Sequence, residues 1–319
     1  MNKILITGVH GFVGSNLVAA LKQNNTIYGL DIVSPEKDGV DKTYSWDDLG
    51  ANVIPPVDAI IHLAGKAHDT KNKSAADIYF KINTDLTKKI FDYFSTHSEI
   101  KKFIFFSSVK AAVDKVPGDI LTENVTPCPV GPYGESKVKA EEYILERLKN
   151  NPELYKKRDV IILRPCMIHG PGNKGNLNLL YGVISKGIPW PLGAFENRRT
   201  FTSIDNLSFV IEKLLTTDVE SGIYNMADDD ALSTNELIEV MCNAMGKKSH
   251  IWKLPKGLIK FGARTGDILH LPLNTFRLDK LTENYVVSNE KIRRALNIER
   301  MPNDAREGLT RTIKSFQKQ

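Results

Sequence analysis

Cysteine is scarce in this chain: Cys128, Cys166 and Cys242 are scattered through 319 residues. That excludes a disulfide framework, and no two of them have zinc-site spacing, so no metal is expected. Also lacking is any run of 18 apolar residues, so no membrane-spanning helix and no membrane partner are expected. The opening "MNKILITGVHGFVGSNLVAALKQ" carries a "VAA" that mimics a cleavage site. Its glycines, His10, Ser15 and Asn16 break up the apolar core a secretion signal needs, which leaves a reduced, cytoplasmic protein as the expectation. Blocks of like charge are absent. The net charge is +5, but basic and acidic residues are interspersed rather than striped, so no nucleic-acid partner is expected. A modest basic surplus suits an anionic small molecule equally well. Repeats, heptads and low-complexity tracts are missing too. What remains, 41% hydrophobic and 25% charged, is the composition of a globular chain long enough for one large domain or two.

The first 165 residues alternate short apolar runs with amphipathic stretches. Strands are expected at 3–7, 26–31, 59–64, 102–108 and 160–165, and helices at 12–23, 74–96 and 133–150. Strands apolar almost throughout, separated by helices, imply a parallel sheet covered on both faces. The fold class is therefore α/β: a doubly wound parallel sheet (Rossmann) over residues 1–165, with a smaller mixed C-terminal substrate lobe over 166–319. After Pro165 the chain turns rich in Gly, Pro and Asn around a short helix near 176–186. A helix at 205–216 and the strand "GIYNMA" (222–227) are expected to return to the sheet. "STNELIEVMCNAMG" and "SNEKIRRALN" read as helices opened by serine caps.

Strand one runs directly into Gly8-Val9-His10-Gly11-Phe12-Val13-Gly14 and then a helix. Glycines there let the backbone turn sharply and approach a pyrophosphate seated on the helix N-terminus. The spacing is GxxGxxG, and its place between strand and helix supplies the context that the triplet alone lacks. Asp31, at the end of strand two, is placed to bind an adenosine ribose. No Lys or Arg follows until Lys37, which favours NAD over NADP. Strand three ends in "HLAG" (62–65), a small-residue exit, and strand four in Ser107-Ser108. Asn83 lies on a helix, where a solvated polar side chain is as ordinary as a functional one. Tyr133 and Lys137 then stand one turn apart at the start of a helix opened by Pro132.

Together these motifs resemble the extended short-chain dehydrogenase/reductases, in the nucleotide-sugar epimerase and reductase branch typified by UDP-glucose 4-epimerase-like proteins. The resemblance spans nearly the whole chain: 8–14, Asp31, "HLAG", "SSV", "YGESK", "LRPCMIHGPG" (163–172), "NRRTFTSIDNL" (197–207) and "GIYNMA". It implies a catalytic Ser108, Tyr133 and Lys137. It also implies an NAD site drawn from Gly8, Gly11, Phe12, Val13, Gly14, Asp31, Leu63, Ala64, Gly65, Asn83, Ser107, Tyr133 and Lys137. The physics is consistent with those roles. A phenol near ~10 is a poor base at neutral pH, and a neighbouring ammonium is expected to lower it. A serine hydroxyl on the same substrate oxygen would orient it for proton transfer.

Departures narrow the branch. Dehydratases of this kind carry an Asp-Glu pair after the catalytic Ser or Thr, whereas Val109 and Lys110 stand here, so dehydration is not expected. Met167 occupies a position where many epimerases have a sugar-contacting Asn, and it cannot donate a hydrogen bond. For substrate, the resemblance implies Ser108, Met167, Asn176 and Arg199, the last as a fork on the diphosphate. Arg198 is its adjacent alternative, while Arg277 reads better as a surface salt bridge. The leading expectation is NAD-dependent epimerisation of a nucleotide-diphosphate sugar, at C4 of a UDP-sugar. The alternative is an NAD(P)H-dependent 4-keto-sugar reductase. A dinucleotide-sensing module would need no Ser/Tyr/Lys set. A homodimer through helices 74–96 and 133–150 is implied by the resemblance alone.

Overall fold

The structure, a computed structural model, describes residues 1–67, 75–269 and 274–317. In chain order its strands are β1 (Asn2–Thr7), β2 (Asn25–Leu30), β3 (Lys42–Tyr44), β4 (Ala59–His62), β5 (Lys102–Phe106), β6 (Asp159–Pro165), β7 (Met167–His169), β8 (Phe201–Ser203) and β9 (Gly222–Met226). Seven of them form one sheet in the order β3-β2-β1-β4-β5-β6-β9, and every adjacent pair is parallel. β7 and β8 form a separate parallel pair. The strand order steps outward from β1 in both directions, which leaves a crevice at the carboxyl edge between β1 and β4. This is the doubly wound sheet expected from the apolar strands.

Because side chains alternate along a strand, each run feeds two cores. Ile4, Ile6, Ile61, Ile104 and Leu163 pack with Leu17 and Leu21 of the helix Phe12–Leu21 and with Leu207, Val210 and Leu214 of Ile204–Thr216. Leu5, Ile60, Phe103 and Phe105 pack on the other face with Ile90, Phe91 and Phe94 of Leu86–Thr96 and Ala140 and Ile144 of Pro132–Asn150. Both faces are dry, so the strands show no polar alternation. Truncating one aromatic here, such as Phe103, would cost roughly 3–5 kcal/mol in lost transfer and cavity terms. The second lobe has its own core, in which Leu177, Trp190, Phe201, Leu237, Met241, Leu309 and Ile313 meet.

Several boundaries differ from the sequence expectation, and each difference exposes chemistry. β2, β4 and β5 stop at Leu30, His62 and Phe106, so Asp31, Leu63–Gly65 and Ser107-Ser108 lie just beyond the sheet. At that edge the backbone turns to other partners: Leu63 N–H donates to the Thr7 carbonyl at 3.2 Å and Ser107 N–H to that of Leu163 at 2.7 Å. The helix expected over 74–96 divides into Ala76–Tyr79, a π-helical turn Phe80–Asp85 and Leu86–Thr96, with residue 74 outside the described residues. A π turn inserts one residue per turn and marks functional segments often; this one buries Asn83. Ser233 does close a capping box with Glu236. The later helix begins at Glu290 with Asn289 as its cap, and Ser288 only accepts from Glu290 N–H at 3.2 Å. β3, three residues long, carries too little pattern to be seen in sequence.

Candidate active site

The glycine turn is built by close approach. Gly8 has φ of +69°, and a Cβ there would lie 2.9 Å from Ala64 N. A Cβ on Gly14 would fall 2.4 Å from the Gly8 carbonyl oxygen, so the helix can seat on the turn only if Gly14 has no side chain. Gly11 caps that helix with extended backbone, and its first turn holds no acid. Phe12 and Val13 open the helix. An anion at this N-terminus meets backbone N–H groups and the positive dipole end. Asp31 Oδ2 accepts from His10 N–H at 3.0 Å and Oδ1 from Ile32 N–H at 2.7 Å, which fixes its carboxylate beside the glycine turn. Lys37, the first cation after Asp31, lies nearer than its place in the chain suggests. Lys37 folds back to donate to Ser15 Oγ at 2.7 Å on the same helix, and its ammonium feels the Asp31 charge.

Across the crevice, Thr7 Oγ1 accepts from Leu63 N–H at 3.1 Å and Ala64 N–H at 2.9 Å, tying the "HLAG" exit to β1. His62 bridges Thr7 Oγ1 at 2.7 Å and Thr87 Oγ1 at 2.9 Å and stacks on Phe105. Burial, then the Lys137 charge, pushes its pKa well below the usual imidazole range, so it stands as a neutral strut. Sequence reading gave His62 no part; only its place in "HLAG" hinted at one.

Tyr133 and Ser108 come together because of a glycine that carries no motif signal of its own. A Cβ on Gly134 would lie 2.5 Å from the Lys110 carbonyl oxygen, so the start of helix Pro132–Asn150 rests directly on the turn after Ser108. Tyr133 is half-buried, shares a side-chain hydrogen bond with Ser108, and meets Tyr79 edge-on with centroids 6.3 Å apart. Ser108 also caps the short helix Val109–Ala112, accepting from Lys110 N–H at 3.2 Å.

Lys137, expected beside the phenol, is directed at the end of β5. Its Nζ donates to the Phe106 carbonyl at 2.8 Å, and it sits where a Cβ on Gly65 would be only 3.2 Å away. Burial lowers the ammonium to about pKa 8, with Glu141 pulling the other way. Burial raises the Tyr133 phenol, while its Ser108 hydrogen bond opposes the rise. Burial thus biases the phenol toward its protonated form, and the Lys137 ammonium is directed at the Phe106 carbonyl.

Asn83 lies under the same wall, fully buried. Its Oδ1 accepts from Lys66 N–H at 2.7 Å, and its Nδ2 donates to Lys66 O at 3.2 Å and Ser136 Oγ at 3.0 Å. The amide thus clamps the Gly65–Lys66 turn to the helix Pro132–Asn150, a use that leaves it little hydrogen bonding for a ligand. Ser107 likewise faces inward, donating to Glu141 Oε1 at 2.5 Å.

The proposed substrate side chains are spread more widely. Met167 is partly exposed on β7, and Asn176 opens helix Asn176–Ile184. Arg199 is not an open fork: Nε donates to the Glu283 carbonyl at 3.3 Å, Nη2 to that of Lys280, and Glu283 Oε1 lies 3.7 Å away. Arg198 donates to the Ala231 carbonyl at 3.0 Å. Nearer to Ser108 is an ionic cluster missed in the sequence. Lys110 Nζ lies 3.2 Å and Lys280 Nζ 2.8 Å from the Asp114 carboxylate, with Lys110 over the Tyr285 ring.

The pieces fit a dinucleotide: a backbone cradle that side chains would fill, a carboxylate at the second strand end, and a buried ammonium beside Gly65. Residues 4–227 match the NAD dependent epimerase/dehydratase family. Among curated relatives, the UDP-glucose 4-epimerase of Vibrio cholerae is 29% identical over 270 residues, 79% of this chain and 78% of that protein. The N-acetyl-alpha-D-glucosaminyl-diphospho-ditrans,octacis-undecaprenol 4-epimerase of Escherichia coli O157:H7 is 27% identical over 299 residues, 92% and 85% respectively. The fold matches the Bacillus cereus UDP-glucuronic acid 4-epimerase solved with NAD at a TM-score of 0.72 and 19% identity, over 98% of this chain and 96% of that one.

Proposed function

The chain belongs to the NAD dependent epimerase/dehydratase family, and on that premise we propose that it epimerises a diphosphate-linked sugar at C4, with a UDP-sugar as the leading candidate. The observation that carries this reading is the Ser108–Tyr133 hydrogen bond at the carboxyl edge of β5, beside the buried Lys137. Bound NAD would supply the hydride acceptor and donor. Gly8, Gly11 and Gly14 would hold its pyrophosphate against the helix Phe12–Leu21, and Asp31 its adenosine ribose. Lys137, next to Gly65, is placed to donate to the nicotinamide ribose.

The remaining work falls to Tyr133 and Ser108. Ser108 would donate to the sugar's 4-oxygen and orient it. Tyr133 Oη would take the hydroxyl proton as the sugar is oxidised and return it once the 4-keto sugar has presented its other face. Burial favours the phenol, the form that returns a proton; taking one needs the phenolate, which the nearby Lys137 ammonium and bound NAD⁺ would favour. Val109 and Lys110, where a dehydratase needs an acid pair, leave no group to expel water. The Arg199 fork would have to exchange the Lys280 and Glu283 carbonyls for phosphate oxygens, so its diphosphate role requires segment 280–283 to move.

Tyr133→Phe tests the reading. Turnover should fall by roughly 10²–10⁴ while NAD affinity is kept, because one proton carrier and little volume are removed. Near-normal activity would take Tyr133 out of the mechanism. Stoichiometric loss of NADH on a 4-keto sugar, without interconversion of epimers, would instead identify a reductase.

A further inference from the structure

The helix Lys256–Leu269 packs with Thr275–Thr282 and presents three distinct faces. Ile259, Ala263 and Gly266 are buried against the lobe. On the opposite side, at helical spacing, Leu258 is 59% exposed, Phe261 70% and Ile268 77%, and Phe276 on the neighbouring helix is 68% exposed. Large aromatic and aliphatic side chains left this open on adjacent helices form a patch that a soluble surface rarely tolerates without a partner. Between the two faces, at about 100° per residue, stand Lys256, Lys260 and Arg264, all exposed. From Trp252 to Gly266 the chain carries Lys253, Lys256, Lys260 and Arg264 and no acidic side chain. Asp267, exposed near the end of the helix beside this basic border, is engaged by the neighbouring helix, accepting from Thr275 N–H at 3.1 Å and Thr275 Oγ1 at 2.8 Å.

We propose that this face is a docking surface for an anionic lipid bilayer. An apolar stripe bordered by lysine and arginine is the pattern of a helix lying in a membrane interface, its apolar side chains among the acyl chains and its cations at the headgroups. An uncharged protein partner would give no use to the basic border, and a second copy of this chain would set that border against itself unless rotated away. Among the described residues no helix is long and apolar enough to cross a membrane, so the association is peripheral. The surface is continuous with the chemistry: Lys280, four residues after Phe276, binds Asp114, which binds Lys110, two residues beyond Ser108. A bilayer docked there would hold the crevice beside the membrane surface. This departs from the sequence expectation of no membrane partner, which considered spanning helices alone.

Cosedimentation of the full chain with vesicles tests it. Vesicles of 30 mol% phosphatidylglycerol in phosphatidylcholine should bind at least about tenfold more protein than pure phosphatidylcholine. Phe261→Ser with Ile268→Ser should lower that binding by about tenfold or more while turnover of a soluble sugar nucleotide is unchanged. Lys260→Glu with Arg264→Glu should abolish the preference for anionic vesicles. Equal binding to both vesicle types, no binding at all, or binding that survives the Phe261/Ile268 pair would overturn the proposal. So would sedimentation velocity showing a dimer that Phe261→Ser dissociates, which would make the face an interface between copies.

Discussion

The carboxylate of Glu141 holds the guanidinium of Arg164 beneath the helix that carries Tyr133, with Nε at 2.9 Å from Oε1 and Nη2 at 2.5 Å from Oε2, and both side chains are sealed from solvent. Glu141 lies one turn beyond Lys137 on the same helix, and Ser107 donates to it as well. Two groups, Ser107 after β5 and Arg164 on β6, are therefore locked to a single carboxylate on the helix Pro132–Asn150. The bidentate geometry fixes the rotation of the helix that carries Tyr133.

Glu141→Gln should destabilise the fold by about 3–5 kcal/mol in urea denaturation, because it leaves a buried guanidinium without its counter-charge. Glu141→Leu combined with Arg164→Met should recover most of that stability, since two buried charges leave together. A double variant as unstable as the single one would show that the ion pair is not the element that matters.

Gly134→Ala adds one methyl where the Lys110 carbonyl stands 2.5 Å away. The helix must lift off the Ser108 turn, and the Ser108–Tyr133 hydrogen bond lengthens. We expect kcat to fall by roughly tenfold to a hundredfold, as for a displacement of about 1 Å at a reacting group. NAD affinity, set largely on the far side of the crevice, should change little. Equal losses in both quantities would mean that the whole wall had shifted.

Lys137→Met tests the cost of burying an ammonium. The folded-state pKa of about 8 lies below the ordinary lysine value of 10.5, so the folded chain gives up this proton more readily than the unfolded chain. The penalty is fully present below about pH 8 and is relieved as pH rises from there to 10.5. The methionine variant should lose turnover and be more stable at pH 7 by on the order of 1–3 kcal/mol. Its advantage should shrink between pH 8 and 10.5. Stability differences that do not vary with pH would contradict a buried, charged Lys137.

Sequence patterning disclosed the sheet because both of its faces are dry: unbroken runs such as Ile4-Leu5-Ile6 and Phe103–Phe106 admit few other readings. The glycine turn, Asp31 and Ser108 were visible as motif residues at strand ends, and Tyr133 and Lys137 as a pair one turn apart on a helix. What could not be read was direction. Nothing in "YGESK" says that Lys137 donates to a β5 carbonyl or that Gly134 is the contact point with Lys110. Lys37 looked remote because it stands six positions beyond Asp31, yet a loop returns it to Ser15. Arg199 looked like a free fork because its partners, Lys280 and Glu283, lie more than 80 residues away in the chain.

Arg199→Lys distinguishes those two roles. A fork that holds the 280–283 segment loses its paired carbonyl contacts, and thermal stability should drop with only a small change in KM. A fork that leaves that segment to grip a diphosphate would raise KM and lower kcat together, since remote binding energy aligns the sugar. The contacts seen here predict the first outcome, and thermal melts beside steady-state kinetics separate them.

The most direct measurement is proton NMR of UDP-sugars incubated in D₂O with the protein and NAD. The account predicts that one UDP-sugar and its C4 epimer interconvert, that the same mixture is reached from either side, and that hydrogen at C4 is kept because hydride leaves and returns to the same carbon. No interconversion of any UDP-hexose or N-acetylated UDP-hexose, or deuterium appearing at C4, would contradict it.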